Sequence, residues 1–522
     1  MKFKMIDRTS SYVTIEILTK DIFQTQDYEI YLNNVCIKKS NRIIQTIYNL
    51  TPDTEYTVFL KSNESVSDPM TFSTKEEFVT LNVRLFGAKG DGIQDDTIFI
   101  QAAINSCPPG SRVYIPKGCY NISTLFLKSD LTIELGKDAI LSATLDKDKY
   151  PILPGLVESL DEQDECNIGT WEGNPLDMYA GIITGINISN VTICGQGTME
   201  GNASYSTWWG DWRLAGRPYR PRMIYLNNCK NITLQGITVQ NSPSWTIHPY
   251  FCENIKCIDL TILNPKDAPN TDGLNPESCK NVEIAGVYFS VGDDCIAIKS
   301  GKIYMGKKHK KPSEDIIIRQ CYMRDGHGSV TIGSEVGAGV KNIQVKNCRF
   351  QNTDRGLRIK TRRGRGKDSI INDIIFENII MDHVLTPFAI NMFYFCDPDG
   401  HSEYVQTKES LPVDERTPSI GQLTFNNIKC TNAHIAGMFF DGLPEKKIEK
   451  IVMDNIEIEF ASNPVMGFPV LKDNLEEMSN MGMYANNIGT LMLSNINIIG
   501  AIGKDLNTYN IDNLISGLED PL

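Results

Sequence analysis

The chain has 522 residues, 41% of them hydrophobic and 22% charged, with a formal net charge of −13. That length exceeds one compact core and calls for two domains or one elongated repeat architecture. The negative balance argues against nucleic acid or an anionic membrane as the main partner, because both select basic surfaces.

At the start, MKFKMIDRTSSYVTIEIL places Asp7 and Arg8 before any apolar run, so no leader peptide is expected. No stretch nears the roughly 18 uninterrupted apolar residues that span a bilayer. A soluble, cytoplasmic protein is expected, or a secreted one if a leader has been removed. Fourteen cysteines, many in apolar contexts such as YFCENIKCIDL, read as buried thiols rather than disulfides. No CxxC pair or Cys/His cluster has metal-ligand spacing, so no metal is expected.

Residues 1–76 carry short strand-like runs, SYVTIEIL, YEIYLNN, IIQTIYNL, EYTVFLKS and MTFST, separated by polar turns at the spacing of a small β-sandwich. Within them NLTPDTEYTVFL places Leu50, Pro52 and Tyr56 much as a tyrosine corner does, and this segment resembles a fibronectin type III domain. It carries no chemistry, and a spacer or docking role is expected. From about residue 80, LFGAKGDGIQDDTIFIQAAINSC has glycine turns, then Asp95 and Asp96 at the start of an amphipathic helix to about Asn105.

A repeat follows. NCKNITLQGITVQN, FCENIKCIDLTILN, SCKNVEIAGVYFS and GVKNIQVKNCRFQN share one cadence, a polar turn with Asn followed by two short alternating strands. Asn231, Asn254, Asn281 and Asn342 are 23, 27 and 61 residues apart, the last about two coils. Imperfect periods above 20 residues mark a solenoid. Without LxxLxL or helical stretches, the pattern predicts an all-β, right-handed parallel β-helix over residues 80–522, its open end capped by the early helix.

In such a coil, residues one turn apart stack roughly 4.8 Å apart. Asp272 in NTDGLNP lies 22 residues before Asp294 in GDDCIAIKSG; His327 in DGHGSV and Arg358 in RGLRIKT follow at 33 and 31. Successive coils then present Asp272, the pair Asp293 and Asp294, His327, and Arg358 with Lys360 in one patch. Carboxylates about 5 Å apart repel by roughly 3 kcal/mol at an effective dielectric near 20, about two pKa units, so one is held protonated while its neighbours stay ionised. Glycoside hydrolysis needs that division into an acid and a base. Adjacent strand residues ordinarily point to opposite faces, so a bend is expected at 293–294. The run RGLRIKTRRGRGKDS puts Arg358 and Lys360, with Arg363 and Arg365 beyond, where a substrate bearing carboxylates, such as a uronic acid polymer, could be held.

The motifs NTD at 270–272, GDD at 292–294, GHG at 326–328 and RIK at 358–360, with FGAKGDGIQDDT and NSPSWTIHP, resemble glycoside hydrolase family 28, the polygalacturonases, over about residues 80–500. The resemblance implies an inverting hydrolase without a metal cofactor. It casts Asp293 as general acid and Asp272 with Asp294 as activators of the water. His327 would support the acid's protonation, and Asn270, Arg358, Lys360, Arg363 and Arg365 would bind substrate. The insertions DECNIGTWEGNPLDMYAG and STWWGDWRLAGRPYRP, and the extension TRRGRGKDS, resemble the exo-acting bacterial branch. An oligogalacturonate or polygalacturonate is therefore the expected partner. The alternatives are endo action, a rhamnogalacturonan or xylogalacturonan hydrolase, and a non-catalytic carbohydrate-binding β-helix.

Overall fold

The computed structural model describes residues 1–158, 165–210 and 218–516. Its N-terminal part holds two antiparallel sheets. One joins Phe3–Arg8, Val13–Ile17 and Ile44–Ile47; the other orders Val35–Arg42, Gln24–Leu32, Glu55–Ser62 and Met70–Ser73. Ile15, Ile30, Val58, Leu60 and Phe72 fill the space between them. The hydroxyl of Tyr56 accepts the amide of Thr51 at 2.9 Å, the corner contact that NLTPDTEY suggests.

Val13–Ile17 is buried on both faces, because its outer face is covered by the rest of the chain. Ile258 and Ala285 of the coils join the sandwich core. Polar contacts frame that seam: Arg42 donates to the Gly286 carbonyl at 2.6 Å, Thr46 to Asp259 at 3.0 Å, and Gln235 to Thr46 at 2.6 Å. The close approach requires glycine at 236 and 286. Both have positive φ, and an added Cβ would lie 1.9 Å from the Tyr48 hydroxyl and 2.8 Å from Ile44 Cβ respectively. The N-terminal sheets are therefore docked along successive coils.

The remaining chain winds into a parallel β-helix of stacked ladders. In the first, Lys230–Gln235 pairs with Glu253–Ile258, which pairs with Lys280–Ala285, then Ser313–Arg319, then Val340–Thr353. The inward positions stack in register as Ile232, Ile255, Val282, Ile316 and Ile343, all 0–1% exposed. Each fully buried aliphatic side chain contributes about 1.5–3 kcal/mol. The repeated asparagines sit at left-handed kinks rather than in the turns expected: Asn231, Asn254 and Asn281 have φ of 57–60°, a region that asparagine tolerates. Their side chains form a ladder, with amide contacts of 2.9 and 2.6 Å.

Helix Thr97–Ser106 lies at the N-terminal end of the coils and buries Ile100, Ala103 and Ile104 in the main core. Asp95 accepts the Thr97 amide at 3.1 Å, whereas Asp96 turns back to the amides of Lys89 and Gly90 and pins the preceding glycine loop. All fourteen cysteines are unpaired. No helix among the described residues is long and apolar enough to cross a membrane.

Candidate active site

A separate ladder carries the polar motifs. Asp294–Ile298 pairs with Gly328–Gly333, that strand with Arg355–Lys360, and that one with Thr386–Asn391. One coil earlier, the amide of Gly273 bonds the Asp294 carbonyl at 3.0 Å, which seats Asp272 beside the pair. The strand begins at Asp294, and Asp293 lies in the bend before it. Both carboxylates therefore face the same side despite their adjacency. Asp272, Asp293 and Asp294 each bring one oxygen within 4.8 Å of the others.

Asp294 is 1% exposed and has both oxygens on cations: Arg358 Nη1 at 3.0 Å and Lys360 Nζ at 2.9 Å. Burial alone would raise its carboxyl, but Lys360 and Arg358 outweigh burial and hold it well below the carboxylate range. Asp272 is equally enclosed, and its Oδ2 accepts from Asn275 at 2.8 Å. Burial and the Asp293 charge push its carboxyl up to about 8, with Lys299 opposing. Asp293 is the outward member, 22% exposed, with His327 Nδ1 3.8 Å away. Within the triad Asp272 is therefore the raised carboxyl and Asp294 the lowered one, whereas the resemblance casts Asp293 as the acid. Three carboxylates at this spacing could draw a divalent ion, yet Arg358, Lys360 and Lys299 already supply positive charge there.

The glycines around His327 have a steric cause. A Cβ at Gly326, where φ is 135°, would meet the Asp293 carbonyl at 2.6 Å. One at Gly328 would meet Asp294 Oδ1 at the same distance.

The residues expected to bind substrate already have partners within the chain. Arg358 and Lys360, expected to hold a substrate carboxylate, are also paired with Asp294. Asn270 accepts from Arg220 at 2.6 Å through its side-chain oxygen. Arg363 is 1% exposed and spent on Glu445, at 2.6 and 2.9 Å, and on the Thr407 carbonyl at 2.8 Å. Arg365 is 2% exposed, with Nε on the Ser334 carbonyl at 2.6 Å and Nη2 on Asp397. Both arginines fasten loops together and do not face the triad, because the strand alternation that aims Arg358 and Lys360 ends at Lys360.

Residues outside the expected set complete the surroundings. Lys299 bridges Glu335 at 3.0 Å and Asp272 at 3.9 Å. The turn at 170–174 places Trp171 between Tyr219, stacked at 4.8 Å, and Trp245, stacked at 6.0 Å. Arg222, fully buried, lies 4.9 Å from the Trp171 ring centre and 5.0 Å from that of Trp245. Both insertions contribute to this wall; Asp164 of the first and residues 211–217 of the second lie outside the described residues. Residues 468–472 flank the other side. Arg355 donates to the carbonyls of Pro469 and Phe468, and Val470 covers Ala389 and Phe439. The alternation along Asp294–Ile298 could have revealed Lys299, which follows Ala297 on the outward row; the aromatic wall left no periodic signal.

Stability should fall at both ends of the pH scale. Asp294 and Asp397 are held below, and Glu335 down to about 2, the carboxylate value near 4 of an unfolded chain. Their contribution is present above about pH 4 and is lost as the pH falls. Burial raises Asp272 to about 8 and Glu277 to about 7, so their contribution is full below about pH 4 and is lost as the pH rises through those values. Thermal melting across pH should therefore peak near pH 4–5, and a flat profile from about pH 5 to 9 would contradict this assignment.

The chain is similar to known pectin-degrading proteins in sequence and in fold. A probable polygalacturonase of Vitis vinifera is 29% identical over 385 residues, 72% of this chain and 74% of that one. An exo-poly-alpha-D-galacturonosidase of Dickeya chrysanthemi is 26% identical over 400 residues, 70% and 65% of the two chains. The family 28 exopolygalacturonase structure from Yersinia enterocolitica shares the fold over 98% of both chains, with a TM-score of 0.67 at 21% identity. A model described as rhamnogalacturonase A/epimerase, pectate lyase-like, matches residues 80–135. The four polar motifs all lie within residues 127–468, which match the model of glycosyl hydrolases family 28, and the chain belongs to that family.

Proposed function

We propose that the protein hydrolyses α-1,4-galacturonosidic bonds, removing units from the end of oligogalacturonates or polygalacturonate with inversion. The observation that carries this reading is the triad itself: three clustered carboxylates of which Asp293 alone opens outward, backed by Arg358 and Lys360. Asp293 gives its proton to the glycosidic oxygen, and Asp272 with Asp294 takes one from the attacking water. His327 supports Asp293. Arg358 commits Nη1 to Asp294 and offers its other N–H groups to a substrate carboxylate.

Carboxyl separation alone would suggest retention, since about 5 Å is the spacing of retaining enzymes. The engaged oxygens argue otherwise. Asp294 has both oxygens on cations and Asp272 is enclosed beside Asn275, so neither is aimed as a covalent nucleophile and both are placed to orient water. NMR of the first product should show the inverted anomer; the retained anomer would overturn this step.

Exo action is supported by the wall of Trp171, Tyr219 and Trp245 beside Asp272 and by residues 468–472 beyond Arg358, which shorten the groove. Fourteen unpaired thiols suit a reducing compartment, where short imported oligomers are the available substrate. Products from polygalacturonate and a reduced-end-labelled oligogalacturonate, resolved by anion-exchange chromatography, test the proposal. Mono- or digalacturonate alone is expected from the first minutes. A ladder of oligomers would mean endo action, and release unchanged in Asp293→Asn would remove the acid role, for which about a thousandfold loss is expected.

A further inference from the structure

Lys299 stands at the back of the triad. Its Nζ lies 3.0 Å from Glu335 Oε2, 3.9 Å from Asp272 Oδ2 and 4.4 Å from the ring centre of Trp245. The side chain is 4% exposed, as is that of Asp272, so solvent screens this charge little. Glu335 is held in place by its backbone, whose carbonyl accepts from the Ser300 amide at 2.7 Å.

We propose that Lys299 is a positioning residue that drives the triad's shared proton from Asp272 to Asp293, and that Glu335 sets the strength of that drive; the inference rests on the hydrolytic reading above. Three carboxylates within 4.8 Å hold a proton among them near neutrality. Asp294 is excluded as its site by Arg358 and Lys360. Burial favours Asp272, but only Asp293 faces outward and can serve as acid. A cation beside Asp272 opposes the pull of burial, lowers the cost of ionising Asp272 and thereby favours transfer of the proton to Asp293.

The cycle needs the same transfer again. Bond cleavage moves a proton from Asp293 to the leaving oxygen, while the water's proton arrives on the base side. At the end Asp272 carries the proton and Asp293 is ionised. Lys299 resets the triad by favouring the return of that proton to Asp293, so the protons balance over one turnover.

The other groups whose charge is felt at Asp272 are Asp293, Asp294 and Lys360, with Arg222 and Cys295 also interacting with it. Lys299 in turn also acts on Glu277, His248 and Glu172. None of these is altered by the substitutions below.

In the full chain, Lys299→Met should lower kcat about tenfold or more and move both limbs of the pH–rate profile upward by about one unit. Glu335→Gln leaves Asp272 as the one ion-pair partner of Lys299 among the described residues and should move both limbs downward. Lys299→Arg should keep them near their original place. The carboxyl NMR titration of Asp272, assigned by its loss in Asp272→Asn, should shift the same way in each variant without any turnover. Opposite displacements in Lys299→Met and Glu335→Gln cannot arise from a purely structural role, and thermal melts verify that both are folded. Unmoved limbs, displacement in the same direction, or a rise in KM alone would overturn the proposal, the last by making Lys299 a substrate contact. If the unaltered protein releases nothing from galacturonan, the hydrolytic reading fails by itself, and an Asp272 titration unmoved in both variants would then refute the electrostatic bridge separately.

Discussion

Asp294→Asn is expected to remove turnover and to cost about 3–5 kcal/mol of stability. The side chain is 1% exposed, and its two oxygens meet Arg358 and Lys360, themselves only 8% and 11% exposed. An asparagine keeps the shape but presents an NH2 group to one of those cations, donor against donor, and deprives two buried cations of the carboxylate they bond. Turnover should fall by about three to four orders of magnitude, because the water loses a base and Arg358 and Lys360 lose the anchor that orients them. Kinetics on digalacturonate and thermal melting of the same sample measure both losses. Adding Lys360→Met should recover part of the stability and none of the activity. A single variant that melts like the unaltered protein would show that the two ion pairs contribute little to the fold.

The geometry behind this result was legible because a β-helix converts sequence spacing into spatial adjacency. The intervals from Asp272 to Asp294, His327 and Arg358 are single coils, and the ladder pairs Asp294 with Gly328 and Thr331 with Arg358. Strand alternation likewise aimed Arg358 and Lys360 outward. It failed where the strand stopped. Beyond Lys360 the chain turns through Gly364 and Gly366, both at positive φ, and Arg363 and Arg365 follow the loop into buried contacts with Glu445 and Asp397. The bend at 292–293, which brings both aspartates to one face, has no pattern of its own beyond a glycine. Trp171, Tyr219 and Glu335 come from irregular segments, where no period links sequence position to direction. The asparagine cadence marked the coils correctly, although its residues occupy left-handed kinks inside strands.

Removing residues 1–76 is expected to lower the melting temperature by roughly 5–10 °C, since each kcal/mol lost is worth about 2–4 °C in a large domain. The N-terminal sheets bridge the first ladder of the β-helix over Gly236, Asp259, Gly286, Arg319 and Gln320. Deletion opens Ile258 and Ala285 to water, and with them the glycines that gave up side-chain cover to admit Tyr48 and Ile44. The polar partners lose less, because Arg319, Asp259 and Gln235 become hydrated once the cover is gone. Gly286→Val tests the same seam without deletion. Its φ of 67° and a Cβ 2.8 Å from Ile44 would lift the sheets off the coils, and melting should fall in the direction of the deletion. Activity should respond differently from stability. Asp272, Asp294 and Arg358 project from another ladder than the one the sheets cover, so Gly286→Val should melt earlier yet keep its product pattern and KM at temperatures where it is folded. Altered substrate preference in the deleted chain would mean that the sheets take part in binding galacturonan and are more than a brace.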